Sequence, residues 1–369
     1  MKLAIFGLTV SSSWGNGHAT LWRGLCSALG RRGHEVVFFE RDVPYYANTR
    51  DLTALPGGGE LILYTEWGEV AAMAARHLKT ADVAMTTSYC PDALIAGDLI
   101  QERCRGLKAF YDLDAPVTLA RILAGEAVDY VGPRGYRDYD LVLSYAGGKT
   151  LGQLQSVLGA GRVAPLYGSV DPEIHKPSEP DAAFAADMSY LGTYSADRDE
   201  ALRNLFIEPA RRLPERRFFL GGSMYGGGFP WLPNIFSVDH LPPARHPAFY
   251  CSSKVTLNVT RGPMAAMGFC PSGRLFEAAA CGVPVFSDHW EGIETFYEPG
   301  SEILIGHTAE DAVAVVERSA EELARIGRAA RERTLASHTS VERVKDLEKI
   351  LEGACAGSST GEVGQACGA

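Results

Sequence analysis

The sequence lacks the features of membrane, secreted and nucleic-acid-binding proteins. No apolar run is long enough to span a bilayer, and the opening residues MKLAIFGLTV lack the apolar core and cleavage site of a signal peptide. None of the eight cysteines forms a C-x-x-C pair. Basic residues are in deficit, since 35 Lys and Arg stand against 45 Asp and Glu, a net charge of -10. We therefore expect a cytoplasmic protein with reduced thiols, no zinc site, no integral membrane segment and no nucleic acid as main partner.

Short apolar segments alternate with helical segments along most of the chain. This pattern predicts an α/β protein with parallel sheets that are covered by helices on both faces. The predicted helices are residues 19–32, 198–213, 309–333 and 341–351. The predicted strands are residues 3–6, 35–39, 61–64, 83–86, 108–111, 141–144, 163–166, 190–191, 218–220, 255–259 and 283–286.

A length of 369 residues exceeds the usual size of one hydrophobic core, so we expect two domains. The stretch GSVDPEIHKPSEPD has three prolines and no periodic apolar pattern, which is typical of a linker. The predicted division is a first domain at 1–167, a linker at 168–185, a second domain at 186–338, a C-terminal helix at 339–354 and a disordered tail at 355–369.

The loop SSSWGNGHAT lies between the first predicted strand and the first predicted helix. Gly15 and Gly17 permit close approach to the backbone, and His18 lies at the helix start, where free amides and the helix dipole favour an anion or a hydroxyl-bearing ligand. With Glu40 after the second strand, the loop partly matches a dinucleotide-binding fingerprint, although its glycines follow the strand too late. A structural hydrogen bond is the alternative role for His18.

Two aspartates follow the strand at 108–111, in the segment FYDLDAPVT. A D-x-D pair can hold a metal ion against a diphosphate. The alternative is a helix N-cap, because Asp114 lies just before Pro116 at a predicted first turn. We assign the cap to Asp114 and leave Asp112 as a candidate for a ligand hydroxyl or a proton transfer.

The segment YLGTYSADR ends a predicted strand with small residues and leads into a helix. Backbone amides at Gly192 and Thr193, together with the guanidinium of Arg198, would form a phosphate site. The alternative is an ordinary loop with a solvated arginine.

The segment PSGRLFEAAACGVP predicts a second anion site. Ser272 and Gly273 lead into a helix with Arg274 in its first turn, which suits a phosphate. Glu277 follows one turn later, where a carboxylate can accept hydrogen bonds from both hydroxyls of a ribose. The alternative is an exposed ion pair between Glu277 and Arg274, but the surrounding residues are too apolar for an outer face.

With these motifs in place, the chain resembles the GT-B glycosyltransferases, in the CgeB-like (spore maturation) branch of the group 1 transferases. The resemblance covers nearly the whole chain and is most specific at SGRLFEAAACGVPVFSD. It implies two Rossmann-like domains that face each other across a cleft and a final helix that crosses back to the first domain. It also implies that Glu277 binds the donor ribose and that the helix at Gly273 meets the diphosphate.

The resemblance implies a hexosyltransferase that uses a nucleotide-diphosphate sugar, needs no metal or other cofactor, and acts on a small-molecule or glycan acceptor. Retaining members carry a second glutamate eight positions before the ribose-binding one, where this sequence has Phe269. Inverting members often have a histidine in the first glycine-rich loop, which His18 matches. We therefore expect inversion with His18 as the base. A sugar-nucleotide epimerase and a non-catalytic sugar-nucleotide-binding protein are the alternative functions.

Overall fold

A computed structural model of the protein describes residues 1–359. The chain forms two compact units, and each contains one sheet. The first unit is discontinuous, since both ends of the chain contribute to it. It contains Met1–Ser12, Trp22–Tyr167 and residues 341–359, and the second unit contains Ser13–Leu21 and Gly168–Ser340.

The first unit has a seven-stranded parallel sheet. Its strands are β1 (Lys2–Gly7), β2 (Glu35–Arg41), β3 (Glu60–Tyr64), β4 (Val83–Thr87), β5 (Leu107–Asp112), β6 (Leu141–Ser144) and β7 (Val163–Pro165). Their order is β3-β2-β1-β4-β5-β6-β7. Ile5, Phe38 and Phe110 are fully buried, as expected where helices cover both faces of a sheet.

The second unit has a six-stranded parallel sheet. Its strands are β8 (Ala186–Leu191), β9 (Phe218–Gly221), β10 (Ile235–Val238), β11 (Ser253–Asn258), β12 (Val285–Ser287) and β13 (Leu304–Ile305). Their order is β10-β9-β8-β11-β12-β13, so the direction of winding reverses between β8 and β11. In doubly wound sheets, ligands bind at the carboxyl ends of the strands beside such a reversal.

Helices cover these sheets. They are α1 (Gly17–Arg31), α2 (Pro44–Ala47), α3 (Trp67–Leu78), α4 (Ala93–Arg103), α5 (Ala115–Leu123), α6 (Lys149–Leu158), α7 (Asp199–Leu202), α8 (Glu208–Arg212), α9 (His246–Cys251), α10 (Gly262–Met267), α11 (Gly273–Ala280), α12 (Ala309–Val316), α13 (Ala320–Ser337) and α14 (Ser340–Ser359). Within residues 1–359, no helix is both long enough and apolar enough to cross a membrane.

The predicted α/β class with two doubly wound sheets is confirmed. The short strands β10 and β13 were not predicted from the sequence, because β10 exposes part of its length and β13 has two residues. The predicted helix at 309–333 is instead two helices. The first of them ends at Val316, and Ser319 caps α13 by accepting a hydrogen bond from the backbone of Glu322.

The segment predicted as a linker pairs with the end of the second unit. Val170 forms a parallel bridge with Thr339, and its backbone exchanges hydrogen bonds with His338 and Ser340 at 3.0 and 2.8 Å. The last helix runs to Ser359, five residues beyond its predicted end. Residues 360–369 of the predicted disordered tail lie outside the described residues.

Candidate nucleotide site

The carboxyl end of β8 approaches that of β9 closely in the second unit. A Cβ atom on Gly222 would lie 2.1 Å from the carbonyl oxygen of Gly192, so only glycine fits at position 222. The hydroxyl of Tyr225 donates a hydrogen bond to the same carbonyl at 2.8 Å. The loop that begins with Gly192 and Thr193 is therefore held at the reversal point of the sheet.

Arg274 lies across the ends of β8 and β11. Its Nη1 donates to Oδ1 of the fully buried Asn258 at 2.6 Å, and its guanidinium lies 5.3 Å from the centre of the Tyr190 ring. A Cβ atom on Gly192 would lie 2.9 Å from Nη2 of Arg274. The cation thus contacts the position predicted for a phosphate.

Arg198 supplies a second cation to the same loop. Its Nη2 donates to the carbonyl of Thr193 at 2.7 Å, while its Nε is buried and has no hydrogen-bond partner among the described residues. The alternative of a solvated loop arginine is therefore wrong. Gly192, Thr193, Arg198 and Arg274 come together at one strand edge, as an anion site requires.

The helix α11 begins beside this loop. Oγ of Ser272 accepts a hydrogen bond from the backbone N–H of Arg274 at 3.3 Å, so Ser272 is the cap and Gly273 is the first helical residue. The helix ends before Gly282, whose φ of 79° is left-handed. The sequence motif therefore folds locally as predicted.

Glu277 does not form the exposed ion pair with Arg274 that was the alternative prediction. Its side chain is 13% exposed, and its Oε2 atom accepts a hydrogen bond from Tyr250 at 3.2 Å and lies 3.5 Å from Nδ1 of His246. Burial raises the pKa of the Glu277 carboxyl, but the imidazoles of His175 and His246 and the Arg274 guanidinium outweigh it and lower that pKa to about 2. The carboxylate is therefore ionised at neutral pH.

Three side chains that surround Glu277 were not predicted from the sequence. His175 comes from the predicted linker and is 1% exposed, and burial lowers its pKa to about 4, so it is neutral at pH 7. His246 and Tyr250 lie on α9, one turn apart. The only sequence signal was a histidine within a proline-rich segment, and that signal does not reveal a contact with a residue 102 positions away.

The loop after β1 is anchored by Glu40. This carboxylate is 1% exposed and accepts hydrogen bonds from Oγ1 of Thr9 at 2.6 Å and from the backbone of Val10 and Ser11 at 2.8 and 3.0 Å. A ribose would have to displace these partners. The alternative of a dinucleotide site in the first unit, with Glu40 as the ribose ligand, is therefore wrong.

His18 lies in the first turn of α1, in the segment that packs with the second unit. Its backbone N–H donates to Oδ1 of the buried Asn16 at 3.1 Å, which caps the helix. A Cβ atom on Gly17 would meet nothing within 4 Å, so no contact with residues 1–359 requires glycine there. In the same segment Trp14 packs on His240, with ring centres 4.2 Å apart.

Asp112 is a structural carboxylate, which corrects its assignment to the catalytic residues. It is fully buried in the first unit, where Tyr136, Thr118 and the backbone of Asp114 donate hydrogen bonds to it at 2.9, 3.1 and 3.1 Å. A ligand hydroxyl does not reach it. Asp114 occupies the cap position of α5, but its side chain makes no cap hydrogen bond.

Phe269 occupies the position that a second glutamate holds in retaining enzymes of the resembled family. Its φ of 46° is left-handed, which is strained for an aromatic residue. Its N–H donates to the carbonyl of Glu291 at 2.7 Å, and a Cβ atom on Gly292 would lie 2.5 Å from its ring. The ring is therefore packed against protein backbone.

Comparison with known proteins agrees with this geometry. A family model described as glycosyl transferase-like matches residues 199–349, which include Arg274 and Glu277. No curated protein matches the chain. Sucrose-phosphate synthase from Thermosynechococcus elongatus is similar in structure, with a TM-score of 0.70 and 14% identity over 96% of this chain and 99% of that chain.

Two further solved structures are similar over nearly their whole length. Anabaena HepE in complex with UDP-glucose has a TM-score of 0.64 and 14% identity, over 96% of this chain and 100% of that one. A glycosyltransferase from Rickettsia africae has a TM-score of 0.62 and 10% identity, over 96% of this chain and 98% of that one. The chain therefore has the fold of the GT-B glycosyltransferases.

Proposed function

We propose that the protein is a glycosyltransferase that moves a sugar from a nucleotide-diphosphate donor to an acceptor hydroxyl. The observation that carries the proposal is the convergence of Arg198, Arg274 and Glu277 at the reversal point of the second sheet. Two cations suit a diphosphate, and a buried ionised carboxylate one turn along the helix suits ribose hydroxyls. The complex of HepE with UDP-glucose supports a donor of this class.

In the proposed reaction, the bond between the anomeric carbon and the β-phosphate oxygen breaks while the acceptor oxygen bonds to that carbon. The negative charge that develops on the departing diphosphate is stabilised by Arg198, Arg274 and the amino end of α11. These groups provide what a metal ion supplies in other phosphate chemistry, so we propose that transfer needs neither metal nor another cofactor.

We propose His18 as the base that takes the proton from the acceptor hydroxyl. An imidazole titrates near neutral pH, and the segment of His18 packs with the unit that carries the donor site. Phe269 cannot act as the second carboxylate of a retaining enzyme, which supports direct displacement with inversion.

The finer assignments belong to the same proposal. The motifs at residues 190–198 and 271–287 favour the CgeB-like branch, and the UDP-glucose of the HepE complex favours a hexosyl donor. The acceptor in this proposal is a small molecule or a glycan. Cys26, Cys90, Cys104 and Cys281 are buried free thiols, which supports a cytoplasmic location.

The test measures donor affinity and turnover separately. Glu277→Ala is expected to weaken binding of the nucleoside diphosphate at least about tenfold, because it removes hydrogen bonds to a charged group. His18→Ala is expected to lower turnover by ~10² to 10⁴ with donor affinity unchanged. Calorimetry gives the affinities, and transfer to a panel of acceptors in excess EDTA gives turnover.

His307→Ala is the matched control for His18, because His307 is an exposed histidine of the second unit. Equal donor affinity in wild type and Glu277→Ala would contradict the ribose role. Activity that is lost in EDTA and restored by manganese would contradict metal independence, and a product that retains the donor's anomeric configuration would remove His18 as inverting base. A donor epimerised without acceptor would favour the epimerase.

A further inference from the structure

The contacts of the Glu277 carboxylate are concentrated on one of its two oxygens. Oε2 accepts a hydrogen bond from Tyr250 at 3.2 Å and lies 3.5 Å from Nδ1 of His246 and 3.9 Å from Nε2 of His175. No described residue donates a hydrogen bond to Oε1. The carboxylate therefore has one oxygen held by the protein and one that remains available to a ligand.

We propose that His246 is a positioning residue for the nucleotide ribose. It holds Oε2 of Glu277, with Tyr250 and His175 as partners, so that Oε1 is fixed in place to accept a ribose hydroxyl. This inference rests on the proposed function, since it assigns the residues that prepare the donor site for the ribose. The carboxylate then loses little conformational freedom when the nucleotide binds.

The protonation of His246 follows from its neighbours. Its Nε2 lies 3.0 Å from the carbonyl oxygen of Leu241, which only accepts hydrogen bonds, so Nε2 carries a proton. Its Nδ1 lies between Oε2 of Glu277 and Nε2 of His175, which is 3.5 Å away. Two acceptors that face each other, Oε2 of Glu277 and an unprotonated Nδ1 of His246, repel when no proton lies between them. A proton on Nδ1 of His246, donated to Oε2, removes this repulsion.

A metal ion is the other cation that the same three atoms could hold. Their separations of 3.5, 3.5 and 3.9 Å place a common centre about 2.1 Å from each atom, which is a typical distance for zinc. However, metal-bound histidines almost always donate their second ring N–H to a partner. Nδ1 of His175 is buried and has no partner among the described residues, so the geometry favours the proton.

Two substitutions of His246 separate its two contacts. The side-chain amide of asparagine places an N–H near the position of Nδ1, whereas that of glutamine places an N–H near the position of Nε2. His246→Asn therefore keeps the donor to Glu277, and His246→Gln keeps the donor to Leu241. If His246 positions Glu277, the Gln variant loses ribose recognition and the Asn variant retains it. If His246 only stabilises the loop at Leu241, the order is reversed.

The experiment measures the affinities of two probes by calorimetry. The first probe is whichever of UDP, ADP and GDP binds wild type most tightly, and the second is inorganic pyrophosphate. His246→Gln is expected to weaken the nucleotide about tenfold and leave pyrophosphate unchanged, while His246→Asn stays within about twofold of wild type for both. Tyr250→Phe, which removes one hydroxyl, is expected to weaken binding of the nucleotide but not of pyrophosphate. His307→Gln is the matched exposed control, and thermal unfolding verifies that each variant is folded.

The inference is overturned if His246→Asn loses as much nucleotide affinity as His246→Gln, or more. It is also overturned if a variant loses affinity for nucleotide and for pyrophosphate equally. Stoichiometric zinc, measured by elemental analysis of protein exposed to zinc and dialysed, would also overturn it if both His246 variants abolish that zinc. A wild type that binds pyrophosphate but no nucleoside diphosphate overturns the proposed function as well. Nucleotide binding by wild type with no effect in any variant overturns this inference alone.

Discussion

Gly192 shows how one missing side chain affects the position of the Arg274 guanidinium. The carbonyl of this residue accepts a hydrogen bond from Tyr225, and its α-carbon faces the guanidinium of Arg274. A Cβ atom there would lie 2.8 Å from the hydroxyl of Tyr190 and 2.9 Å from Nη2 of Arg274, closer than packed atoms tolerate. A side chain at residue 192 would therefore displace the Arg274 guanidinium or the Tyr190 hydroxyl from its place at the strand edge.

Gly192→Ala is therefore expected to displace Arg274 and weaken binding of the nucleoside diphosphate about tenfold, since it disturbs a hydrogen bond between charged groups. Pyrophosphate binding falls by the same factor, because the loss concerns the diphosphate. Gly226→Ala is the matched control, since a Cβ atom there meets nothing within 4 Å. Calorimetry measures these affinities. Equal affinities of Gly192→Ala and Gly226→Ala for the nucleoside diphosphate would show that the position of Arg274 does not depend on Gly192.

At the scale of elements, the junction between β5 and α5 is organised by the buried carboxyl of Asp112. Burial raises its pKa to about 6, although hydrogen bonds from Thr118 and Tyr136 act in the opposite direction. A carboxyl whose pKa is higher in the folded than in the unfolded protein stabilises the fold while it is protonated. Its contribution is complete below the unfolded value of 3.8 and is lost as the pH rises through about 6.

Asp112→Asn removes this titration while it keeps the shape of the side chain. From about pH 4 to pH 7, the free energy of unfolding of wild type is expected to fall relative to the variant by on the order of 2 kcal/mol. Urea denaturation at both pH values, followed by tyrosine fluorescence, measures the difference. A difference that is independent of pH would show that the carboxyl is ionised throughout.

At the scale of the whole molecule, the first unit is completed by α14, the last helix of the described residues. Glu348 on α14 pairs with Arg32 at 2.6 Å and His34 at 2.7 Å, and these hydrogen bonds lower its pKa to about 2. The apolar face of α14 is more deeply buried, since Val344, Leu347 and Leu351 are at most 3% exposed. Burial of this face, rather than the partly exposed ion pairs, supplies most of the stabilisation.

Leu351→Ala is accordingly expected to destabilise the first unit by about 2 to 5 kcal/mol, the usual effect of deleting a core leucine. Leu123→Ala is the control in the same unit, since Leu123 is 63% exposed, and it is expected to change stability by less than about 0.5 kcal/mol. Urea denaturation monitored by circular dichroism compares the stabilities of the two variants. Equal midpoints for Leu351→Ala and Leu123→Ala would show that α14 is not part of the folded core.

The sequence by itself determined the α/β class and the helix that carries Arg274 and Glu277. Alternating apolar strands and helices specify parallel sheets, because only buried strands are apolar on both faces. Residues three apart on one helix share a face whatever surrounds them, so the relation of Arg274 to Glu277 was fixed locally. The cap of α11 at Ser272 is also determined locally, because its hydrogen bond joins residues two positions apart.

Only the tertiary structure decided which polar residues meet. His175 and His246 are 71 residues apart in sequence, yet Nε2 of His175 lies 3.5 Å from Nδ1 of His246. Neither residue has a local sequence signal that links it to Glu277. Asp112 and Glu40 looked like ligand-binding carboxylates at strand ends, yet both are buried with donors from other segments. The physical reason is that burial and long-range hydrogen bonds depend on how the elements pack, whereas the elements themselves depend on local periodicity.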